Sequence, residues 1–117
     1  MKLKEIIKLL DAKVYCGEEL GEMELHSACA SDMMSDVLAF VKDQALLISG
    51  LCNPQVVRTA DMMDIKCIVL VRGKAPTADM MAIAKQKGIA ILSSEYRMYS
   101  ACGVLYANGL VAGDATV

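Results

Sequence analysis

Three short apolar runs, at residues 45–49 (ALLIS), 67–71 (CIVLV) and 89–92 (IAIL), contain no alternating polar positions. Unbroken runs of this length predict strands buried on both faces, the pattern of a parallel sheet covered by helices. Between the first two runs, Asn53 suits a helix N-cap and Pro54 the first helical position, while Val56, Val57, Ala60 and Met63 form an inward stripe. A crossover helix between two parallel strands makes a right-handed βαβ unit, and the unit at 45–74 is the predicted centre of the fold. Between the second and third runs, Pro76 and Thr77 open another helix, with Met80, Ile83 and Ala84 inward and Gly88 as its stop.

The flanking chain completes this pattern. Leu3, Ile6, Ile7 and Leu10 recur at helical spacing, with Lys2, Lys4, Glu5 and Lys8 on the other face. Residues 14–16 read as a short strand, 17–21 as a turn and 23–30 as a second strand. Ser31 and Asp32 then cap a helix with the stripe Met34, Val37, Leu38 and Val41. Ser93, Ser94 and Glu95 cap a last helix through Tyr106, closed by Asn108 and Gly109, and 110–117 is a weakly patterned, frayed tail. No linker or low-complexity run divides the chain. The expectation is one α/β domain over 1–117: a three-layer βαβ-type domain with a mainly parallel sheet flanked by helices.

Composition narrows the function. A formal net charge of −2 supplies no basic field for nucleic acid or an anionic membrane surface. No window approaches the roughly 20 apolar residues that span a bilayer, and the N-terminus has no secretory h-region, so a cytoplasmic location is expected. Hydrophobic residues make up 56% of the chain, an excess that calls for deep burial or an oligomer interface, and a homodimer is expected. Methionines come in pairs, Met33-Met34, Met62-Met63 and Met80-Met81, all on predicted helices, so that one of each pair faces the sheet and its neighbour lies at the flank.

The five cysteines are widely spaced, without a C-x-x-C pair, and His26 is the single histidine, so no metal site or disulfide framework is predicted. The cysteines read as reduced small hydrophobes. Cys52 alone falls beside a predicted helix N-terminus, a place that lowers a thiol pKa. His26 reads as a half-exposed strand residue with no partner acid.

In a parallel α/β sheet, ligands bind beyond the carboxyl ends of the strands, where helix N-termini present free N–H groups. Polar and small residues cluster at these ends: Ser49 and Gly50 leading to Asn53, then Arg72-Gly73-Lys74, then Ser93-Ser94, with Asp32 nearby. Arg72 and Lys74 suit a phosphate or carboxylate, and Gly73 allows close backbone approach. The candidate ligand-binding residues are therefore Asp32, Asn53, Arg72, Gly73, Lys74, Ser93 and Ser94. The serines and Asn53 serve equally as ordinary caps. Neither G-x-x-x-x-G-K-[ST] nor G-x-G-x-x-G occurs. No catalytic residue and no cofactor are assigned; an enzyme of phosphoryl or acyl transfer would have only Asp32, Lys74 and Cys52 to work with.

Four stretches, Ser31–Val37 (SDMMSDV), Asn53–Ala60 (NPQVVRTA), Arg72–Pro76 (RGKAP) and Cys102–Tyr106 (CGVLY), resemble in order the short stand-alone members of the DRTGG domain family. The likeness covers nearly the whole chain. It implies a fold like the N-terminal domain of HPr kinase/phosphorylase, and a regulatory domain that dimerises or senses a ligand while the chemistry lies in another protein or domain. The P-loop of the kinase is absent, so no kinase activity carries over. The five residues that name the family are missing too; the equivalent loop is 50–55, and no ligand contact is carried over through it. The reading that follows is a non-catalytic regulatory or interaction domain, dimeric, acting in trans on a metabolic enzyme or signalling partner. The alternative is a sensor of a small phosphorylated metabolite or adenine nucleotide at the strand ends.

Overall fold

The computed structural model describes residues 1–40 and 46–113. In chain order the elements are α1 (Leu3–Leu9), β1 (Lys13–Cys16), a 3₁₀ turn (Glu18–Leu20), β2 (Ala28–Ala30), α2 (Met34–Phe40), β3 (Leu46–Ser49), α3 (Pro54–Met62), β4 (Cys67–Leu70), α4 (Ala78–Lys87), β5 (Ala90–Ser93) and α5 (Met98–Ala107). The strands form one sheet in the order β1-β5-β4-β3-β2, with β2 to β5 parallel and β1 antiparallel at one edge. The fold is thus the expected α/β sandwich with a mostly parallel sheet. The central βαβ unit is β3-α3-β4, in a register that sets Leu46 opposite Cys67 and Ser49 opposite Leu70; Ala45 lies outside the described residues.

Every residue of β3, β4 and β5 is buried, which is why these strands show no polar alternation. Their side chains divide by the period of two. Ile48, Val69 and Leu92 enter a core shared with Leu3 and Ile6 of α1 and with Ala101 and Leu105 of α5. Leu47, Ile68 and Ile91 enter a second core against Val37 of α2, Val56 and Ala60 of α3 and Met80 and Ala84 of α4. Burying each large aliphatic side chain contributes about 1.5–3 kcal/mol, so both faces of the sheet need their helices. Helix ends follow local chemistry. Asn53 Oδ1 accepts from the Gln55 N–H at 2.9 Å, Thr77 Oγ1 accepts from the Met80 N–H at 3.1 Å, and Gly88 closes α4 in the left-handed region. Within the methionine pairs, Met34 and Met80 are buried, whereas Met33 and Met62 are exposed.

Several local expectations are corrected. Only Ala28–Ala30 of the predicted strand 23–30 joins the sheet. Its first half runs instead beside the chain start, where the Leu3 N–H donates to Met23 O and the Leu25 N–H to Met1 O. Leu38 is 41% exposed rather than inward; Met34 and Val37 already cover the contact of α2 with the core. Val41 lies outside the described residues. The last helix starts at Met98 with Arg97 as a bare N-cap, because Ser94 is occupied elsewhere. Ser31 Oγ accepts from the Met33 N–H at 3.0 Å in a turn before α2, and Asp32 turns to Gly50 instead of capping that helix. The expected fraying does not extend to the described start of the tail: Leu110 is buried, and the Ala28 N–H donates to Val111 O at 3.0 Å. Residues 114–117 are outside the described set. His26 is exposed. Among the described residues, no helix is long and apolar enough to cross a membrane.

Candidate functional site

The carboxyl ends of β3, β4 and β5 lie side by side, so the loops that follow them meet. Backbone bonds continue past the strands: the Val71 N–H donates to Ser49 O at 3.2 Å and the Ser94 N–H to Leu70 O at 2.9 Å. After β4 the chain turns sharply, with Arg72 at φ 58° and Gly73 at φ 66° and the Lys74 N–H donating back to Val71 O at 3.3 Å. Two successive left-handed residues characterise a type I′ turn, which costs Gly73 nothing and a side-chain-bearing residue such as Arg72 about 1 kcal/mol. The turn is stitched to the loop after β5, where the Arg72 N–H donates to Tyr96 O and the Gly73 N–H to Ser94 O, both at 2.8 Å.

From this turn two cations reach back to β3. Lys74 Nζ donates to Gly50 O at 2.7 Å. Arg72 lays its guanidinium over Gly50, where an added Cβ would come within 2.7 Å of Nη2. Asp32, arriving from the end of β2, closes the other side: its Oδ1 accepts from the Gly50 N–H at 2.6 Å and from Ser49 Oγ at 3.1 Å. Among the described residues the Arg72 guanidinium has no hydrogen bond and no ion pair of its own. Glu95 supplies a second carboxylate; a Cβ on Gly73 would meet its Oε2 at 2.7 Å. The strand ends therefore carry two cations and two carboxylates around glycine backbone.

The other predicted residues are placed differently. Ser93 Oγ donates to Lys74 O at 2.7 Å and holds the turn from beneath. Ser94 is buried, donating to Leu10 O at 2.9 Å and accepting from the Tyr96 N–H at 3.2 Å, so both of its functions are internal. Asn53 caps α3 next to the cluster. Arg72, Gly73, Lys74 and Asp32 are thus brought together, with Asn53 at the rim and the two serines underneath. Gly50 and Glu95 were not among the predicted site residues. Gly50 had a readable signal, a glycine directly after a buried strand, whereas the contact of Glu95 with Gly73 depends on how two loops pack.

Cys52 senses the same charges. Burial pushes its thiol up, outweighing the downward pull of Lys74 and Arg72. The helix N-terminus beside it therefore does not lower the thiol, which is a poor nucleophile at neutral pH. Burial also raises Cys29, to about 11, and pushes Cys67 up further. Among the described residues, no group of three or more His, Cys, Asp or Glu is arranged to hold a metal ion.

No curated protein matches this sequence. Among solved structures, the fold is similar to the CBS and DRTGG domains of the regulatory region of Clostridium perfringens pyrophosphatase, in a complex with its activator diadenosine tetraphosphate. The TM-score is 0.69 at 15% identity, over 89% of this chain and 45% of that one, so this chain corresponds to less than half of that regulatory region. Residues 5–107 match the DRTGG domain family over almost the whole length of the sequence, and the chain belongs to that family.

Proposed function

We propose that this chain is a non-catalytic regulatory domain of the cytoplasm, a homodimer that acts in trans on a partner enzyme and responds to a small phosphorylated metabolite at its strand ends. The observation that carries the ligand reading is the Arg72 guanidinium, which lies over Gly50 beside Lys74 with no ion pair of its own among the described residues. A phosphate oxygen is the natural bidentate partner for such a group. The left-handed backbone of Arg72 supports the same reading, since local strain of this kind concentrates at ligand clamps. Asp32 and Glu95 beside the cations suit a ligand that also offers hydroxyl or amino donors, such as a sugar phosphate or adenine nucleotide, better than a bare inorganic anion.

Two further points support a regulatory role. The small set available for transfer chemistry holds the loops together, Asp32 being bonded to Ser49 and Gly50 and Lys74 to Gly50, and the Cys52 thiol is raised. The pyrophosphatase region that shares this fold is regulatory and was captured with an adenine dinucleotide activator.

The test is a thermal-shift screen of the purified protein against nucleotides and sugar phosphates, repeated at high salt, with mass measured by light scattering. A ligand that binds the folded state raises Tm by mass action, and the expected shift is weaker at high salt and lost in Arg72→Ala. A flat Tm across the panel would remove the ligand from the proposal. A monomeric mass would remove the homodimer.

A further inference from the structure

Helix α5 opens a stretch, residues 98–113, with no Asp, Glu, Lys or Arg, in a chain that is 22% charged. Its inner side is core, through Ala101 and Leu105. Its outer side bears two large aromatic groups, Tyr99 at 91% and Tyr106 at 63% exposure. Tyr99, Gly103 and Tyr106 fall at i, i+4 and i+7 and so share one face. Together with Cys102 and Ala107 they line a shallow hollow of about 420 Å³.

Gly103 is the informative residue. Glycine in a helix interior costs about 1 kcal/mol relative to alanine. Among the described residues nothing requires it, because its φ is not positive and a Cβ there would meet nothing within 4 Å. A glycine without an internal reason, centred between two exposed tyrosines, allows another backbone to approach from outside.

We infer that this face is the interface of the homodimer, with α5 of a second copy crossing it antiparallel at Gly103. The inference rests on the dimer proposed above and assigns its contact surface. A face without charge requires an uncharged partner surface, and the same face on a second copy is one. An antiparallel crossing at Gly103 sets Tyr99 of one copy over Ala107 of the other and Tyr106 over Ser100, large against small at each contact. At about 150–250 Å² per aromatic side chain, scaled by their exposures, the two tyrosines offer about 300 Å², toward the roughly 800 Å² per partner of a standard interface. The adjoining hollow of about 110 Å³, which α5 shares with Ala28, Ala30 and Val111, extends the same surface to the β2 edge of the sheet.

Sedimentation equilibrium of the wild type and of Gly103→Glu tests the assignment, with circular dichroism as the check on folding. The glutamate enters open space in a single copy but places two like charges at the crossing in a dimer. The expected result is a dimeric wild type and a folded variant that dimerises about 30-fold or more weakly, the effect of losing a hot-spot contact. Tyr106→Ala, which creates no charge, is expected to weaken dimerisation in the same direction. A wild-type dimer that both variants leave intact overturns this interface while the dimer stands. A wild type that stays monomeric at every concentration overturns both.

Discussion

The guanidinium of Arg72 occupies the space into which a side chain on Gly50 would grow, with Nη2 2.7 Å from the position of the missing Cβ. The two residues belong to successive strand-end loops, so the contact ties the β4 turn to the end of β3. Because the crowding atom is the tip of a flexible side chain, Gly50→Ala is expected to displace Arg72 rather than unfold the protein. Its denaturation midpoint should stay near that of the wild type, while the ligand-induced Tm shift falls. An unchanged shift would show that the position of Arg72 over Gly50 is irrelevant to binding.

Arg72→Ala keeps a side-chain-bearing residue in the left-handed position and removes only the exposed guanidinium. Stability should change by no more than about 0.5 kcal/mol, as for a surface substitution. Urea denaturation checks this, and a larger loss would make Arg72 a structural residue first.

Ser94→Ala should do the opposite. Its hydroxyl is buried between Leu10 O and the Tyr96 N–H, and removal leaves both backbone groups without that partner. A loss of about 1–3 kcal/mol is expected, measurable by the same denaturation, with the ligand response retained in the folded protein.

Two left-handed glycines separate conformational strain from crowding. At Gly17, φ is 93° and a Cβ would sit 2.8 Å from Ala90 Cβ and 2.9 Å from Ala90 Cα. Gly17→Ala combines backbone strain with overpacking against β5 and should cost about 3 kcal/mol. Gly88 has φ 70°, and among the described residues a Cβ there would meet nothing within 4 Å, so Gly88→Ala should cost only about 1 kcal/mol. Equal losses in chemical denaturation would refute the role of Ala90.

Glu22 provides the pH test. Hydrogen bonds from Lys4 and Lys2 lower its pKa from 4.5 to about 2. A carboxylate whose folded pKa is depressed adds stability above its unfolded pKa, and that contribution is lost as pH falls from 4.5 toward about 2. The group is fully exposed, so the effect is small and screened by salt. Glu22→Gln should flatten the acid limb of the stability profile at low ionic strength, and an identical acid limb would rule the contribution out.

Much of the fold was legible because it rests on burial periodicity and local caps. The runs at 46–49 and 67–70 had to lie inside a sheet covered on both faces, since no other arrangement of strands hides consecutive apolar side chains. Asn53, Thr77 and Gly88 act within their own turns, so a few neighbouring residues were enough to place them. Where a residue answers to a distant partner, local pattern failed. Ser94 looked like a helix cap, but Leu10 O lies within its reach and a buried carbonyl needs a donor. Asp32 looked like the cap of α2, but the N–H of Gly50 emerges beside it at the end of the neighbouring strand. Leu38 fitted the helical stripe, yet a helix at the side of the sheet has core contact for only part of that stripe. The sequence by itself determined the buried strands at the centre of the sheet, the helices that connect them and that polar loops follow those strands. Only the tertiary structure decided that Arg72, Lys74 and Asp32 meet at Gly50, because strand order and register, set by the packing of two cores, choose which loops become neighbours.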